Sequence, residues 1–296
     1  MPDVSILQSG WLAEETFRQH STLKALGATS KAVYLLSPAG QVVILSFDSY
    51  ISPLTCTLDR FSPQLRAITP GEVFEVSASA LTHPTAVVWR NAAITWNAPP
   101  ASGKILPAPT RLALIQRAAE TATHPLQGQG FGCLLLPFLT AQPPGSDALE
   151  VYSHLMALHT ILRTGAVELA VSPLTALLGL GRGLTPSGDD LLCGLLLLLN
   201  RWPLLSPLSA PLLETFNQQV TALARQRTTT LSANLLELAA CGSGDERLIA
   251  AVDGLVTSDP QQSAWLPALL TYGSSSGTDA LLGMALALRA HPELSF

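Results

Sequence analysis

"NAPPASGKILPAPT", residues 97–110, is the point at which the chain changes character, because the hydrophobic period differs on its two sides. Proline and small residues crowd it, as they do at a domain boundary. Upstream, from Lys31 to about Pro99, the chain reads as strands. "AVYLLSPAGQVVILSF" (32–47) sets two apolar runs around a Pro-Ala-Gly turn at Pro38–Gly40, which is a hairpin signature. "GEVFEVSASAL" (71–81) places Val73, Phe74 and Val76 among polar residues, and "TAVVWRNAAITWNAP" (85–99) holds two short β-branched or aromatic runs broken at Arg90 and Asn91. These segments predict a small antiparallel sheet or barrel.

Downstream the period becomes that of helices. "TRLALIQRAAETATH" predicts a helix beginning near Thr110. "SDALEVYSHLMALHTILRTG" predicts another, with Asp147 and Glu150 spaced as a capping box and Gly165 as a stop. Further helical patterns begin near Leu191, Pro211, Asp245 and Thr278. The expected fold class is therefore α+β, with a β-rich domain over 1–105 and a mainly helical domain over 106–296.

The totals narrow the function classes. A chain of 296 residues exceeds what one core usually serves. It is 48% hydrophobic and only 12% charged, against about 25% charged in an ordinary soluble domain. So little charge points either to a compact enzyme with long buried helices or, as the favoured expectation, to a surface that meets another subunit. With a net charge of −5 and no basic cluster, nucleic acid is excluded as a partner. The opening "MPDVSILQSGWLAEETF" lacks the basic flank and apolar core of a signal peptide. The most apolar run, Leu191 to Leu199, falls far short of the roughly 20 residues of a membrane span. A soluble, cytoplasmic protein without a membrane partner is expected. Cys56, Cys133, Cys193 and Cys241 form no C-x-x-C pair, which argues against zinc or redox chemistry, and three of them read as small buried side chains. His154 and His159, five apart, do not share a helix face, so the histidines are assigned structural or surface roles.

Chemistry concentrates in "GLGRGLTPSGDDLLCG", residues 179–194. Ser187 is a natural helix N-cap, with Asp190 three residues on as a weaker version of the usual glutamate. Eighty-nine residues later "SSGTDALLGM" repeats the arrangement, with Ser276, Gly277, Thr278, Asp279 and Gly283 in place of Ser187, Gly188, Asp189, Asp190 and Gly194. One reading needs no ligand: Ser-x-x-Asp caps each helix, and Gly194 and Gly283 let two helices approach closely. That reading leaves a glycine directly after each cap, costing about 1 kcal/mol against alanine. It also leaves Gly179, Gly181 and Gly183, which free the loop for positive φ, and a second carboxylate, Asp189. Free backbone N–H groups at a helix start suit a phosphate or carboxylate, with Arg182, or a Mg²⁺ held by Asp189 and Asp190, supplying the positive charge. In a third stretch, "RQRTTTLSANLLELAACGSGDE" (225–246), Arg225, Arg227 and the Thr228–Thr230 and Ser232 hydroxyls either line the same pocket or form a capped helix start with a solvated basic face. No serine, cysteine or histidine forms a recognisable nucleophile and base pair.

These three stretches, "GLGRGLTPSGDDLLCG", "RTTTLSANLLELAACG" and "YGSSSGTDALLGM", resemble the AllH family, the third subunit of oxamate carbamoyltransferase, over roughly residues 175–290. The resemblance implies a subunit acting with two different partner subunits, one of them CoA-ligase-like. It implies carbamoyl transfer between oxamate or oxalurate and carbamoyl phosphate, in ureide and allantoin breakdown and hence nitrogen metabolism. Carried over by position, it implies catalytic Asp189 and Asp190, and substrate contacts from Gly181, Gly183, Thr185, Ser187, Gly188, Thr229, Ser232, Gly277 and Asp279, to which the loop chemistry adds Arg182. Arg182 departs from the family, where proline is common. The rival expectations are a free-standing, metal-dependent phosphoryl-transfer enzyme and a non-catalytic scaffold subunit.

Overall fold

The computed structural model describes residues 3–90, 93–123, 130–257 and 265–294, and the chain divides into two compact units, residues 1–99 and 100–296. In the first unit the elements run β1 (Asp3–Gly10), α1 (Trp11–Gln19), β2 (Thr22–Ala28), β3 (Ala32–Leu36), β4 (Val42–Ser46), β5 (Thr55–Leu58), α2 (Pro63–Arg66), β6 (Val73–Val76), β7 (Ala80–His83), β8 (Ala86–Trp89) and β9 (Ile94–Trp96).

The strand order is β5-β4-β3-β2-β6-β7-β8-β1-β9, and β5 also pairs with β1. That last ladder closes eight strands into a barrel and removes the free edges, with β9 continuing on β1 beyond β8. The predicted hairpin is β3–β4: Leu36 faces Val42, the Ser37 N–H donates to the Gln41 carbonyl at 2.9 Å, and Gly40 takes φ 85° at the turn. Alternation sends Val33, Leu35, Val43 and Leu45 into the barrel core with Phe74, Leu81 and Val88. The sheet is not wholly antiparallel, since β4–β5, β1–β8 and β1–β9 run parallel. Of the expected break after β8, Arg90 anchors to Glu14 at 2.7 Å, and Asn91 lies outside the described residues.

The second unit contains α3 (Ala108–Thr123), α4 (Leu135–Thr140), α5 (Leu149–Thr164), α6 (Val171–Leu177), α7 (Ser187–Arg201), α8 (Ala210–Arg227), α9 (Thr230–Ala240), α10 (Glu246–Val256), α11 (Trp265–Leu270) and α12 (Ser276–Ala290). Its core is built on α7 and α12, in which every residue from Ser187 to Leu199 and from Ser276 to Ala290 is buried. A helix apolar on all sides has nowhere else to go. Gly165 ends α5 as expected, at φ 73° with its N–H on the Ile161 carbonyl. The Asp147–Glu150 capping box does not form. A 3₁₀ turn over Ser146–Ala148 leads straight into α5, so Asp147 bonds the Ser146 hydroxyl instead and Ala148 takes the cap position. Arg201 Nε and Nη2 grip Asp253 at 2.7 and 2.6 Å and Trp202 Nε1 adds a third bond at 2.8 Å, a buried cluster tying α7 to α10.

Only two cysteines, Cys56 and Cys193, are buried, whereas Cys133 and Cys241 are exposed, which corrects the expectation of three. His159 packs edge-on to Phe138 and its Nε2 lies 3.3 Å from the Arg289 carbonyl oxygen, a structural role. Among the described residues, no helix is long and apolar enough to cross a membrane.

Candidate functional site

The two Ser-Gly-x-Asp copies open α7 and α12, and the two helices meet start to start. A Cβ built on Gly194 would overlap the Ala280 carbonyl oxygen, and one on Gly283 would overlap the Leu191 carbonyl oxygen. These contacts are reciprocal under the 89-residue repeat, as are the Asp190–Ser276 and Asp279–Ser187 pairs one turn earlier, so the helices run parallel in matched register, backbone against backbone. The close-packing part of the ligand-free reading is therefore correct. The repeat also reaches upstream. The Gly188 N–H donates to the Leu180 carbonyl and the Gly277 N–H to the Tyr272 carbonyl, each at 2.9 Å, in the loops that follow α6 and α11.

The capping part is wrong in both copies. Pro186, extended at φ −57° and ψ 147°, holds the N-cap of α7, and its carbonyl accepts from the Asp189 and Asp190 N–H groups. Ser275 precedes α12 in the same way, without a side-chain cap. Ser187 and Ser276 are thus the first residues of their helices and are turned across the junction. Thr185 and Ser276 hydroxyls lie 3.3 Å apart. Ser276 and Thr185 favour the Asp190 anion, and Ser187 and Ser275 favour the Asp279 anion.

Asp189 and Asp190, adjacent in sequence, point in different directions, as neighbours on a helix must. Asp189 Oδ1 accepts the Gly179 N–H at 2.8 Å and Oδ2 accepts the Thr228 hydroxyl, so it pins the glycine loop to the α8–α9 corner. Burial raises its pKa and these bonds oppose the rise. Asp190 faces α12. It is 2% exposed, its Oδ2 has no hydrogen-bond partner among the described residues, and burial together with the Asp279 charge pushes its pKa up to about 8. Asp279 is fully buried, takes the Phe131 N–H on Oδ1 at 2.6 Å, and is raised by burial to about 6, with Oδ2 also unpartnered. A shared Mg²⁺ does not fit Asp189 and Asp190, because Asp189 has both oxygens engaged elsewhere. Among the described residues no group of three or more His, Cys, Asp or Glu side chains is placed to hold a metal.

The other expected residues divide. Gly181, Arg182 and Gly183 are exposed on the loop, with φ 126° and 100° at the two glycines. Gly188 and Gly277 sit at the junction, yet their N–H groups are spent on loop carbonyls rather than presented to an anion. Thr229 caps α9 by accepting the Ser232 N–H at 3.1 Å and donates to the Leu184 carbonyl at 2.9 Å. Ser232 is buried near Asp189 with its hydroxyl outside hydrogen-bonding geometry. Arg225 pairs with Glu237 at 2.7 Å on the surface and Arg227 reaches the Thr175 carbonyl at 3.4 Å, so the arginines do not line the junction. Sequence reasoning missed Gly130 and Phe131. A Cβ on Gly130 would come within 2.6 Å of both Asp279 oxygens, and nothing in the local sequence announces a contact across 148 residues.

A separate cleft of about 620 Å³ in the barrel unit, lined by Phe17, Arg18, His20, Ser77 and Arg90 among others, contains none of the expected residues. No match to a curated protein or to a solved structure was found. Residues 177–288, which hold the starts of α7, α9 and α12, match the model of the AllH family, described as oxamate carbamoyltransferase subunit AllH, and the likeness carried by the three motifs is thus a family-level match.

Proposed function

We propose that this chain works as a subunit of a carbamoyltransferase-type complex and holds a small anionic substrate at the joined starts of α7 and α12. The observation that carries the reading is the coincidence of the family match, residues 177–288, with the segments that build the junction. In this reading the substrates are oxamate or oxalurate and carbamoyl phosphate, and the complex includes two other subunits, one CoA-ligase-like. The setting is ureide breakdown in the cytoplasm.

Two parallel helices bring the positive ends of both dipoles to one place, which favours an anion there. Asp189 acts as a positioning residue, since its oxygens are committed to Gly179 and Thr228. Asp190 keeps a proton near neutral pH and has an oxygen to spare. When an amide nitrogen attacks the carbamoyl carbon, the N–C bond forms, phosphate leaves with the electrons of the broken C–O bond, and the nitrogen sheds a proton. The ionised fraction of Asp190 is the group that takes it, and in reverse the protonated form returns it.

The test is carbamoyl transfer by the chain reconstituted with its partner subunits. Asp190→Asn is expected to lower kcat at least about 100-fold, and turnover equal to that of the unaltered complex would sink the catalytic role. The scaffold reading draws on one observation, the commitment of Gly188, Gly194, Gly277 and Gly283 to packing. It expects full assembly with indifference to every ligand. A free-standing phosphoryl-transfer enzyme would show chelator-sensitive activity in the isolated chain, and the divergence of Asp189 from Asp190 gives that reading no support.

A further inference from the structure

Asp190 and Asp279 stand four residues into two helices related by the repeat, and each leaves Oδ2 without a hydrogen-bond partner among the described residues while being 2% and 0% exposed. Buried polar atoms are nearly always satisfied, and an exception in a native fold calls for a reason, such as a catalytic role or a water, ion or ligand supplied from outside the chain. The Thr278 hydroxyl, 1% exposed in the first turn of α12, is unpartnered as well, so the deficit at this junction is not confined to the two carboxyls. In their ionised form the two Oδ2 atoms lack a donor. A bare carboxylate brings none, and phosphate, although its P–O–H can donate, sets like charge against the carboxyls in their ionised form, whereas a terminal amide carries two N–H bonds diverging from one nitrogen. Two equivalent acceptors on a pseudo-twofold junction match such a group.

We infer that Asp190 and Asp279 together receive the NH₂ group of a carboxamide or ureido ligand, whose anionic end is left toward the exposed loop over residues 181–184. The inference rests on reading the junction as the ligand site. It names the end of the substrate that the junction grips.

The experiment is calorimetric titration of the full chain, alone and in its reconstituted complex, with oxamate, N,N-dimethyloxamate, oxalate and inorganic phosphate, each with and without Mg²⁺. Oxamate is expected to bind, the three compounds without an NH₂ group at least about tenfold more weakly, and Asp190→Asn and Asp279→Asn to weaken oxamate by a similar factor. The ligand series on the unaltered chain keeps the test valid if a variant fails to fold. Equal binding of oxamate and oxalate, or of the dimethyl compound, overturns the inference, and so does binding of Mg²⁺ alone. No binding of any compound also overturns it and leaves the carboxyls sharing a proton internally. Carbamoyl transfer without amide selectivity would spare the subunit reading, and amide selectivity without carbamoyl transfer would spare the site alone.

Discussion

At the scale of the residue, the same side chain type does different work according to where its oxygens go. Asp189 is buried and satisfied, Asp190 buried and left with a spare oxygen. Because the folded pKa of Asp190 is raised to about 8 and that of Asp279 to about 6, the folded chain holds protons that the unfolded chain releases near 4. Stability from this source is fully present below the ordinary carboxyl range and is lost as pH rises toward 8. Melting temperature is therefore expected to fall between pH 4 and pH 8, and Asp190→Asn to flatten that slope. An unchanged slope in thermal melts of the variant would remove Asp190 from the account. Asp253 is the opposite case, a carboxylate with Arg201 and Trp202 in bonding distance. Asp253→Ala removes both of these bonds from a buried guanidinium and is expected to cost about 3–5 kcal/mol in denaturant unfolding.

At the scale of the element, the helix pair depends on two glycines. Gly194→Ala and Gly283→Ala each drive a methyl into a facing carbonyl, Ala280 and Leu191 respectively, and neither helix can shift without disturbing the Asp190 and Asp279 contacts at its start. Each change is expected to destabilise by about 3 kcal/mol. Since both force the same two backbones apart, the double variant is expected to cost less than the sum, read by equilibrium unfolding of all three variants. Strict additivity would mean that the two contacts are independent. The repeat that predicts this pairing was legible in the sequence, as was the close approach of Gly194 and Gly283. The capping role of Ser187 was not, because local spacing cannot tell a hydroxyl that turns back on its own helix from one that crosses to a neighbour. Pro186 decides the matter by occupying the cap itself.

At the scale of the whole molecule, each unit has its own core. The barrel buries Val4, Ile6, Val33, Leu35, Val43, Leu45, Phe74 and Val88 together with Ala13 and Phe17 of α1 and Leu65 of α2, and the β1–β5 ladder closes it. Residues 1–99 expressed alone are expected to melt in one cooperative transition by circular dichroism, and loss of residues 1–10 to abolish it by reopening the sheet. A fragment that shows no transition would mean that the barrel requires the rest of the chain.

What the sequence determined by itself is whatever depends on near neighbours: the change of period around residues 97–110, the β3–β4 hairpin, the Gly165 stop and the matched openings of α7 and α12. These follow from backbone propensity and from which face of an element is apolar. Barrel closure, the parallel ladders, the meeting of Asp189 with Thr228 and the arrival of Phe131 at Asp279 were decided by tertiary structure alone. Each joins residues far apart in the chain, and whether a buried carboxyl oxygen finds a donor depends on what the fold brings beside it, which spacing along the chain does not encode.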